Sequence, residues 1–313
     1  MRLFRRSVAA TLLGAFLLTG CGQGSSDDTA STKDQPTGAF PVTVAAGNGD
    51  VTIPARPKRI VSLAPTSTEM LFAIGAGKQV VAADELSNHP ADAPRTKLSG
   101  FKPNAEAVIG YTPDLVVLTN DSDGIVKALT AVKIPVLLEP AAATLDDTYD
   151  QLTDLGTATG HRTEAEKVAA DMKSKIDEIV AKVPKPAAPL RYYHELDTTY
   201  FSVTSKTFLG QVYGRFGLQN IADAADRKGT GYPQLSAEYV VQANPDLVFL
   251  GDTKCCAQTA ATVAKRPAWD KMTAVKNGGI VELDDDIASR WGPRVVELVQ
   301  AVADAVGKAS RPK

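Results

Sequence analysis

The chain has 313 residues, of which 44% are hydrophobic, and its formal net charge at pH 7 is −2. This composition is typical of a globular protein and excludes a collagen-like, coiled-coil or disordered chain. The nearly balanced charge argues against the basic surface that a nucleic-acid partner requires. The 3 cysteines cannot form a disulfide framework and the 3 histidines are scattered, so we expect no protein-bound metal site.

The amino terminus has the features of an export signal. Three arginines precede a short apolar run over Val8–Leu18, and a Leu-Thr-Gly-Cys sequence ends at Cys21. This sequence resembles the bacterial lipobox, which implies removal of a signal peptide over residues 1–20 and lipid attachment to Cys21. Residues 21–40 are rich in small and polar side chains and are predicted to form a flexible tether. The predicted location is therefore extracytoplasmic, on a membrane anchor.

Predicted strands and helices alternate over residues 41–160. Val42–Ala46 and Val51–Ile53 predict a hairpin with a four-residue loop. A strand over Arg59–Ala64 is followed by Thr66-Ser-Thr-Glu69, which predicts a capping box at the start of a helix. We expect this region to be an amino-terminal lobe with a parallel sheet flanked by helices.

A long helix is predicted between two halves of the chain. Apolar residues recur at helical spacing from Arg162 to Val183, and Pro184 and Pro186 end the pattern. We assign residues 161–184 to one amphipathic helix of about 30 Å, at 1.5 Å per residue. A single stiff helix as the only covalent crossing predicts small relative motion of the two lobes.

An internal repeat defines the second lobe, over residues 185–313. Ala105–Leu118 and Ala237–Leu250 are identical at 8 of 14 positions and lie 132 residues apart, about one domain length. Each copy predicts a short helix, a turn at proline and a buried strand that begins Asp-Leu-Val. The predicted fold is α/β, with two similar lobes of mainly parallel sheets flanked by helices and joined by one long α-helix.

The lipobox, the tether and the two lobes joined by a helix resemble the periplasmic binding proteins for cobalamin, ferric siderophores and haem. Their most specific similarity lies in RIVSLAPTSTEMLFAIGAG, both PDLV segments and DDDIASRWGPRVVELVQ. The resemblance implies a monomer that captures a small-molecule metal chelate and delivers it to the permease dimer of an ABC importer. It implies no enzymatic activity and no cofactor, since the chelate is cargo.

Two glutamates occupy the same place in the repeats, one in each lobe. By resemblance to cobalamin-binding members, Glu106 and Glu238 dock on arginines of the permease dimer. An acidic residue in the first turn of a helix also stabilises that helix, by a few tenths to about 1 kcal/mol. Helix stabilisation therefore remains an alternative role for both.

The ligand cleft is predicted between the lobes, at the carboxyl ends of the strands, where open α/β sheets bind ligands. Loops there supply aromatic faces for stacking and polar groups for amides, phosphates or carboxylates. The candidate ligand-binding residues are His89, Tyr200, Phe201, Tyr232, Asp286, Arg290 and Trp291. Tyr232, Asp286 and Arg290 lie where the similar cobalamin binders carry an aromatic residue, an aspartate and an arginine. An ion pair of Arg290 with a neighbouring aspartate is the alternative.

The identity of the ligand is less determined. Where the similar cobalamin binders place a tyrosine and two tryptophans in the first lobe, this chain has Leu86, Ser99-Gly-Phe101 and Thr119-Asn120. A corrinoid would lose part of its stacking surface, so a ferric siderophore remains an alternative. Haem would need an axial donor such as His89 or Tyr232.

Cys255 and Cys256 are adjacent in a predicted cleft loop. In an oxidising compartment they form a vicinal disulfide, remain inert thiols, or ligate a metal or haem. The first of these is the hypothesis that we carry forward.

Other functional classes find little support. The chain contains neither Gly-x-Ser-x-Gly nor His-Glu-x-x-His, and no phosphate-binding glycine loop, so an enzyme is not expected. A receptor for bare zinc or manganese would need several converging histidines and carboxylates. A sensory or structural lipoprotein with this fold, unconnected to transport, remains the alternative function.

Overall fold

The computed structural model describes residues 39–186 and 188–311, so the predicted signal peptide, the lipidation of Cys21 and nearly all of the tether lie outside the described residues. The strands are β1 (Val42–Ala46), β2 (Gly49–Ile53), β3 (Ile60–Ser62), β4 (Val80–Ala83), β5 (Leu115–Leu118), β6 (Val136–Leu138), β7 (Arg191–Glu195), β8 (Gln219–Asn220), β9 (Leu247–Leu250) and β10 (Ile280–Glu282). The α-helices are α1 (Pro65–Ala73), α2 (Ala105–Ile109), α3 (Ile125–Ala131), α4 (Leu145–Thr159), α5 (Arg162–Lys182), α6 (Phe208–Gly214), α7 (Ala237–Ala243), α8 (Ala260–Ala264), α9 (Thr273–Lys276), α10 (Asp285–Ala288) and α11 (Val295–Ala309). Within these ranges, no helix is both long and apolar enough to cross a membrane.

Each lobe contains one sheet of four parallel strands. The order is β4-β3-β5-β6 in the amino-terminal lobe and β8-β7-β9-β10 in the carboxyl-terminal lobe. Numbered within its own lobe, each sheet has its strands in the order second, first, third, fourth. The predicted α/β fold with two similar lobes is therefore confirmed.

The repeated aspartate anchors the same point of both sheets. The Asp114 carboxylate accepts hydrogen bonds from the backbone N–H groups of Lys58 and Arg59, both at 2.8 Å, just before β3. The Asp246 carboxylate accepts one from the N–H of Arg191, at 2.9 Å, where β7 begins. All residues of β5 and β9 are buried, as continuous apolar strands of parallel sheets require. The Asp-Leu-Val pattern thus fixes the third strand of each lobe beside the first.

The long helix predicted between the lobes is confirmed as α5, of 21 residues. It packs against both α4 and α11. Its buried Met172 and Ile176 belong to one apolar core that also contains Ile60 of β3, Leu247 of β9 and Val302 of α11. A large rotation of one lobe against the other would expose this core to water, which agrees with the small motion expected from a single helix.

The predicted capping box at Thr66 is wrong. The N-cap of α1 is Ala64, two residues before Thr66, so the helix begins at Pro65 and has no side-chain cap. Proline is favourable at the first helical position because the N–H it lacks would have no partner there. Glu69 is consequently not a capping residue, and its carboxylate is available for contacts described below.

The hairpin loop is shorter than predicted. Ala46 pairs with Gly49, so only Gly47 and Asn48 connect β1 and β2. Gly49 has a φ of 95°, a conformation that favours glycine. The Asn48 side chain donates to the carbonyl of Val136 at 3.0 Å, which ties the hairpin to the edge of the first sheet.

Candidate ligand-binding site

A cavity of about 430 Å³ lies at the carboxyl ends of β3, β4 and β5. Leu63, Asp84 and Thr119, which follow these strands, form one side, and the segment from Asp286 to Trp291 forms another. The cavity therefore lies where parallel α/β sheets bind ligands, between loops of the amino-terminal lobe and a segment of the other lobe.

A second cavity, of about 560 Å³, lies in the carboxyl-terminal lobe, at the amino ends of the strands of its sheet. Asp246 and Gly279, which precede β9 and β10, form part of its wall. Although this cavity is larger, it is at the amino ends of the strands. The cavity at the carboxyl ends is therefore the candidate ligand site.

Arg290 is buried beside the cavity and is held by protein acceptors. Its Nη1 donates to Oε1 of Glu69 and to Oδ1 of Asn88, both at 2.8 Å. Its Nη2 donates to Oδ1 of Asp286 at 2.8 Å and to the Leu86 carbonyl at 3.0 Å. A guanidinium has five N–H donors, and four of them are engaged here. Arg290 thus offers a ligand a fixed planar group, with its charge largely compensated by the protein, and the alternative of an ion pair with a neighbouring aspartate is realised.

Glu69 is the centre of this ion cluster and was not among the predicted site residues. It also accepts hydrogen bonds from Arg294, at 2.9 Å from Nε and 2.6 Å from Nη2. The Glu69 side chain is almost fully buried, so its charge requires both arginines. Its hydrogen bonds to Arg294 raise the pKa of that guanidinium. Glu69 lies on α1 and the arginines follow α10, so these pairs connect the two lobes at the cavity.

Asp286 lines the cavity and joins three side chains. Its Oδ1 accepts from Arg290, and its Oδ2 accepts from Lys254 at 2.7 Å and from Asn88 at 3.0 Å. Partial burial alone would raise the pKa of Asp286, but the hydrogen bonds from Lys254 and Asn88 hold that pKa below its ordinary value. The side chain is therefore ionised at neutral pH and fixed in place.

Two aromatic side chains line the cavity. The Nε1–H of Trp291 donates to Oε1 of Gln151 at 2.9 Å, which fixes the plane of the indole. Phe101 is 71% exposed and has its ring at the same cavity. In the sequence, Phe101 stands out only because its segment differs from the similar cobalamin binders. The structure instead makes it a candidate stacking surface.

Phe201 and Tyr232 do not line this cavity. They are 37% and 53% exposed, in loops of the carboxyl-terminal lobe that are joined by a bridge between Phe201 and Gln234. Phe201 follows β7 and Tyr232 follows β8 in the chain, and both remain candidates for contact with a ligand larger than the cavity.

Tyr200 has a different environment. Its ring centroid lies 6.4 Å from that of Trp269 and 5.5 Å from the guanidinium carbon of Arg266. Trp269 is fully buried in the carboxyl-terminal lobe, so Tyr200 is engaged in packing there. Of the predicted ligand-binding aromatic residues, only Trp291 lines the cavity.

His89 is exposed, precedes a cis proline and does not line the cavity, whereas its neighbour Asn88 does. Asn88 contacts both Arg290 and Asp286 and was not predicted. No sequence pattern singles it out, because its importance comes from residues about 200 positions away.

Two charged residues on the amino-terminal side of the cavity were also missed. Asp84 is buried, and burial raises the pKa of its carboxyl group. Arg95 is exposed and lines the cavity, and its side chain has no hydrogen-bond or ion-pair partner within the described residues. In contrast to Arg290, Arg95 has no ion-pair partner within the described residues, although Asp84 and Glu85 line the same cavity.

The predicted docking glutamates occupy equivalent positions. Glu106 lies in the first turn of α2, capped by Asn104, and Glu238 lies in the first turn of α7, capped by Ser236. Both side chains are exposed. The repeat thus places one exposed carboxylate before the third strand of each sheet, as docking on a symmetrical partner would require.

Cys255 and Cys256 are joined by a disulfide bond in the loop after β9. Throughout residues 39–186 and 188–311, no three histidine, cysteine, aspartate or glutamate side chains are arranged to hold a metal ion. The cavity itself offers aromatic side chains for stacking and polar side chains for hydrogen bonding.

The chain was compared with known proteins. The sequence profile described as periplasmic binding protein matches residues 60–287. An uncharacterised ABC transporter substrate-binding lipoprotein of Bacillus subtilis is 32% identical over 309 residues, covering 95% of either chain. A cobalamin-binding protein of Halobacterium salinarum is 32% identical over 278 residues, covering 85% of this chain and 74% of the relative.

The fold is also similar to solved structures. A protein of Staphylococcus epidermidis described as a possible iron-binding periplasmic solute-binding protein superposes with a TM-score of 0.70 and 25% identity. This superposition covers 80% of the present chain and 99% of that structure. The chain therefore belongs to the periplasmic binding protein family, which confirms the resemblance found in its sequence.

Proposed function

We propose that this protein is an extracytoplasmic, lipid-anchored substrate-binding protein of an ABC importer, and that it captures a metal chelate, with a corrinoid as the first candidate. The observation that carries the proposal is the cavity at the carboxyl ends of β3, β4 and β5. Phe101 and Trp291 supply aromatic faces there, and Asp286, Arg290 and Arg95 supply polar groups. A large, partly planar ligand with peripheral amides and a phosphate needs this combination. The similarity to a cobalamin-binding protein over most of the chain supports the corrinoid.

A ferric siderophore is the second candidate. The exposed charge of Arg95 favours an anionic chelate, and one similar structure is described as iron-binding. Haem fits less well, because neither His89 nor Tyr232 lines the cavity and both were the proposed axial donors.

The proposed mechanism is capture without chemistry. The ligand binds as cargo, needs no cofactor of the protein and leaves unchanged. The loaded monomer, held near the membrane by lipid on Cys21, presents Glu106 and Glu238 to basic pockets of a permease dimer. The continuous core around α5 supports a binding step with little change in the angle between the lobes.

Ligand binding can be tested by titrating the purified protein with cyanocobalamin, a ferric hydroxamate, a ferric catecholate and haem. We expect calorimetry to give a dissociation constant below about 10 μM, roughly −7 kcal/mol, for one of these chelates. The same ligand should quench Trp291 emission, whereas Trp291→Phe should retain only the emission of buried Trp269 and lose the quenching at the cavity. Absence of binding by all four ligands would contradict the proposed function.

Docking can be tested by uptake in cells that depend on this protein. Charge reversal of both Glu106 and Glu238 to lysine should abolish uptake and leave the dissociation constant of the purified protein unchanged. Glu164 and Glu297 provide a matched control, since they are also exposed and in the first turns of helices. If the control pair impairs uptake equally, or if the first pair does not, the docking role is wrong.

A further inference from the structure

The loop after β9 is attached to the segment that begins α10. Asp285 accepts hydrogen bonds from the Thr253 hydroxyl at 2.8 Å and from the backbone N–H groups of Lys254 and Cys255, both at 2.9 Å. The Thr253 hydroxyl also donates to the carbonyl of Leu283 at 2.7 Å. These hydrogen bonds attach the backbone immediately before the disulfide to Asp285, the residue next to Asp286 of the cavity lining.

Lys254 extends this attachment to the cavity itself. Its Nζ lies 2.7 Å from Oδ1 of Asp284 and 2.7 Å from Oδ2 of Asp286. Asp286 in turn pairs with Arg290, and both of these residues line the cavity. Lys254 adjoins Cys255 in the chain, so one ion pair, between Lys254 and Asp286, connects the residue next to the disulfide to the cavity lining.

The disulfide restricts the backbone of this loop. A bond between the sulfur atoms of adjacent residues closes a small ring that contains their peptide unit, which limits the conformations that Cys255 and Cys256 can adopt. The backbone N–H groups of Cys256 and Gln258 both donate to the backbone carbonyl of Asp252 at 3.3 Å. The loop around Lys254 is thus held at two points, by hydrogen bonds to the backbone carbonyl of Asp252 and by hydrogen bonds to the carboxylate of Asp285.

From these contacts we infer that the Cys255–Cys256 disulfide is a redox-responsive positioning element of the ligand site. While the disulfide is intact, Lys254 is held on Asp286 and Arg290 is kept in its binding orientation. Reduction releases the loop and weakens ligand binding. The role of Asp286 and Arg290 in binding rests on the proposed function, whereas the attachment of the loop does not.

The chemical step is thiol–disulfide exchange with a dithiol, of a protein or a small molecule. The dithiol loses two electrons and its two protons and becomes a disulfide, while the S–S bond breaks and Cys255 and Cys256 become thiols. Cys255 is exposed, so an attacking thiolate can reach it. Reoxidation by the reverse exchange would restore the attachment.

The attachment is tested first without ligand. The full-length lipoprotein is purified in detergent, and hydrogen exchange of residues 283–291 is compared in three forms: oxidised, reduced with dithiothreitol, and carrying Cys255→Ser with Cys256→Ser. We expect at least about fivefold faster exchange in the second and third forms. Equal exchange in all three would overturn the inference, whether or not any chelate binds.

Ligand binding is measured second, with cyanocobalamin and the ferric hydroxamate as probes and with reductant removed after alkylation of the thiols. We expect at least about fivefold weaker binding by the alkylated and the double-serine forms. Lys254→Met should weaken binding similarly, Lys254→Arg should restore it, and Lys265→Met, at an exposed lysine of the same lobe, should have no effect. Unchanged binding by the double-serine form would overturn the inference. If no form binds either probe, hydrogen exchange alone decides the role of the disulfide, and the proposed function is decided separately by the titration with all four ligands.

Discussion

Glu69 and Arg290 are 221 residues apart in the chain, yet Oε1 of the glutamate lies 2.8 Å from Nη1 of the arginine. Both side chains are almost completely buried. The pair holds the middle of α1 against the segment before α11, and it fixes Arg290 where that residue lines the ligand cavity. It is also a contact between lobes that is independent of the covalent connection through α5.

Replacement of the buried carboxylate should strongly destabilise the protein. Glu69→Gln leaves Arg290 and Arg294 without their shared anion, and we expect the free energy of unfolding to fall by about 3–5 kcal/mol. Urea unfolding followed by circular dichroism measures this change. Glu166→Gln, which removes an exposed ion pair with Arg162, should cost less than about 1 kcal/mol. Similar losses for both variants would show that Glu69 does not act as a buried ion-pair centre.

Phe101 should contribute to affinity with little effect on stability. Because its ring is 71% exposed at the cavity, Phe101→Ala removes a stacking surface without opening a hole in the core. We expect about fivefold weaker binding of the cognate chelate by calorimetry, in line with about 1 kcal/mol for an aromatic contact. Val132→Ala, another exposed apolar position, is the control and should bind normally. Normal affinity of the Phe101 variant would place the ligand elsewhere.

Arg95 should select for negatively charged ligands. Arg95→Gln removes the guanidinium charge at the cavity but retains hydrogen-bonding capacity. Binding of an anionic chelate should weaken about tenfold and become less dependent on salt, because screened attraction has been removed. Lys97→Gln alters an exposed cation that does not line the cavity and should change neither property. Retention of the full salt dependence by the Arg95 variant would contradict this role.

Glu139 should make stability depend on pH. The side chain is only 4% exposed, and burial, together with the charge of Asp154, raises its pKa from 4.5 to about 8. Between these values the folded protein keeps a proton that the unfolded chain has lost, so the free energy of unfolding falls as pH rises from 4.5 to 8. Glu139→Gln cannot titrate, and its slope should be shallower by up to about 1.4 kcal/mol per pH unit.

Urea unfolding at several pH values between 5 and 8 measures this difference in slope. Glu164→Gln, at an exposed position of α5, should keep the slope of the unmodified protein. Parallel pH profiles for the Glu139 variant and the unmodified protein would show that this carboxyl group is ionised in the folded state.

The features that depend on neighbouring residues could be predicted from the sequence. The alternation of apolar strands with helices predicted the α/β class, and the repeat of Ala105–Leu118 at Ala237–Leu250 predicted two similar lobes. The helical spacing between Arg162 and Val183 located α5 to within one residue. These patterns are local because backbone hydrogen bonding and the burial of one face repeat every few residues.

Tertiary structure decided which side chains meet. Glu69 had the spacing of a capping residue, but Pro65 starts the helix earlier and Arg290 and Arg294 approach from the far end of the chain. The contacts of Asn88 likewise come from distant partners, and only the folded chain places the ring of Tyr200 near Trp269. A long-range ion pair leaves no periodic trace in a sequence, since its energy depends on burial and geometry that only the folded chain creates.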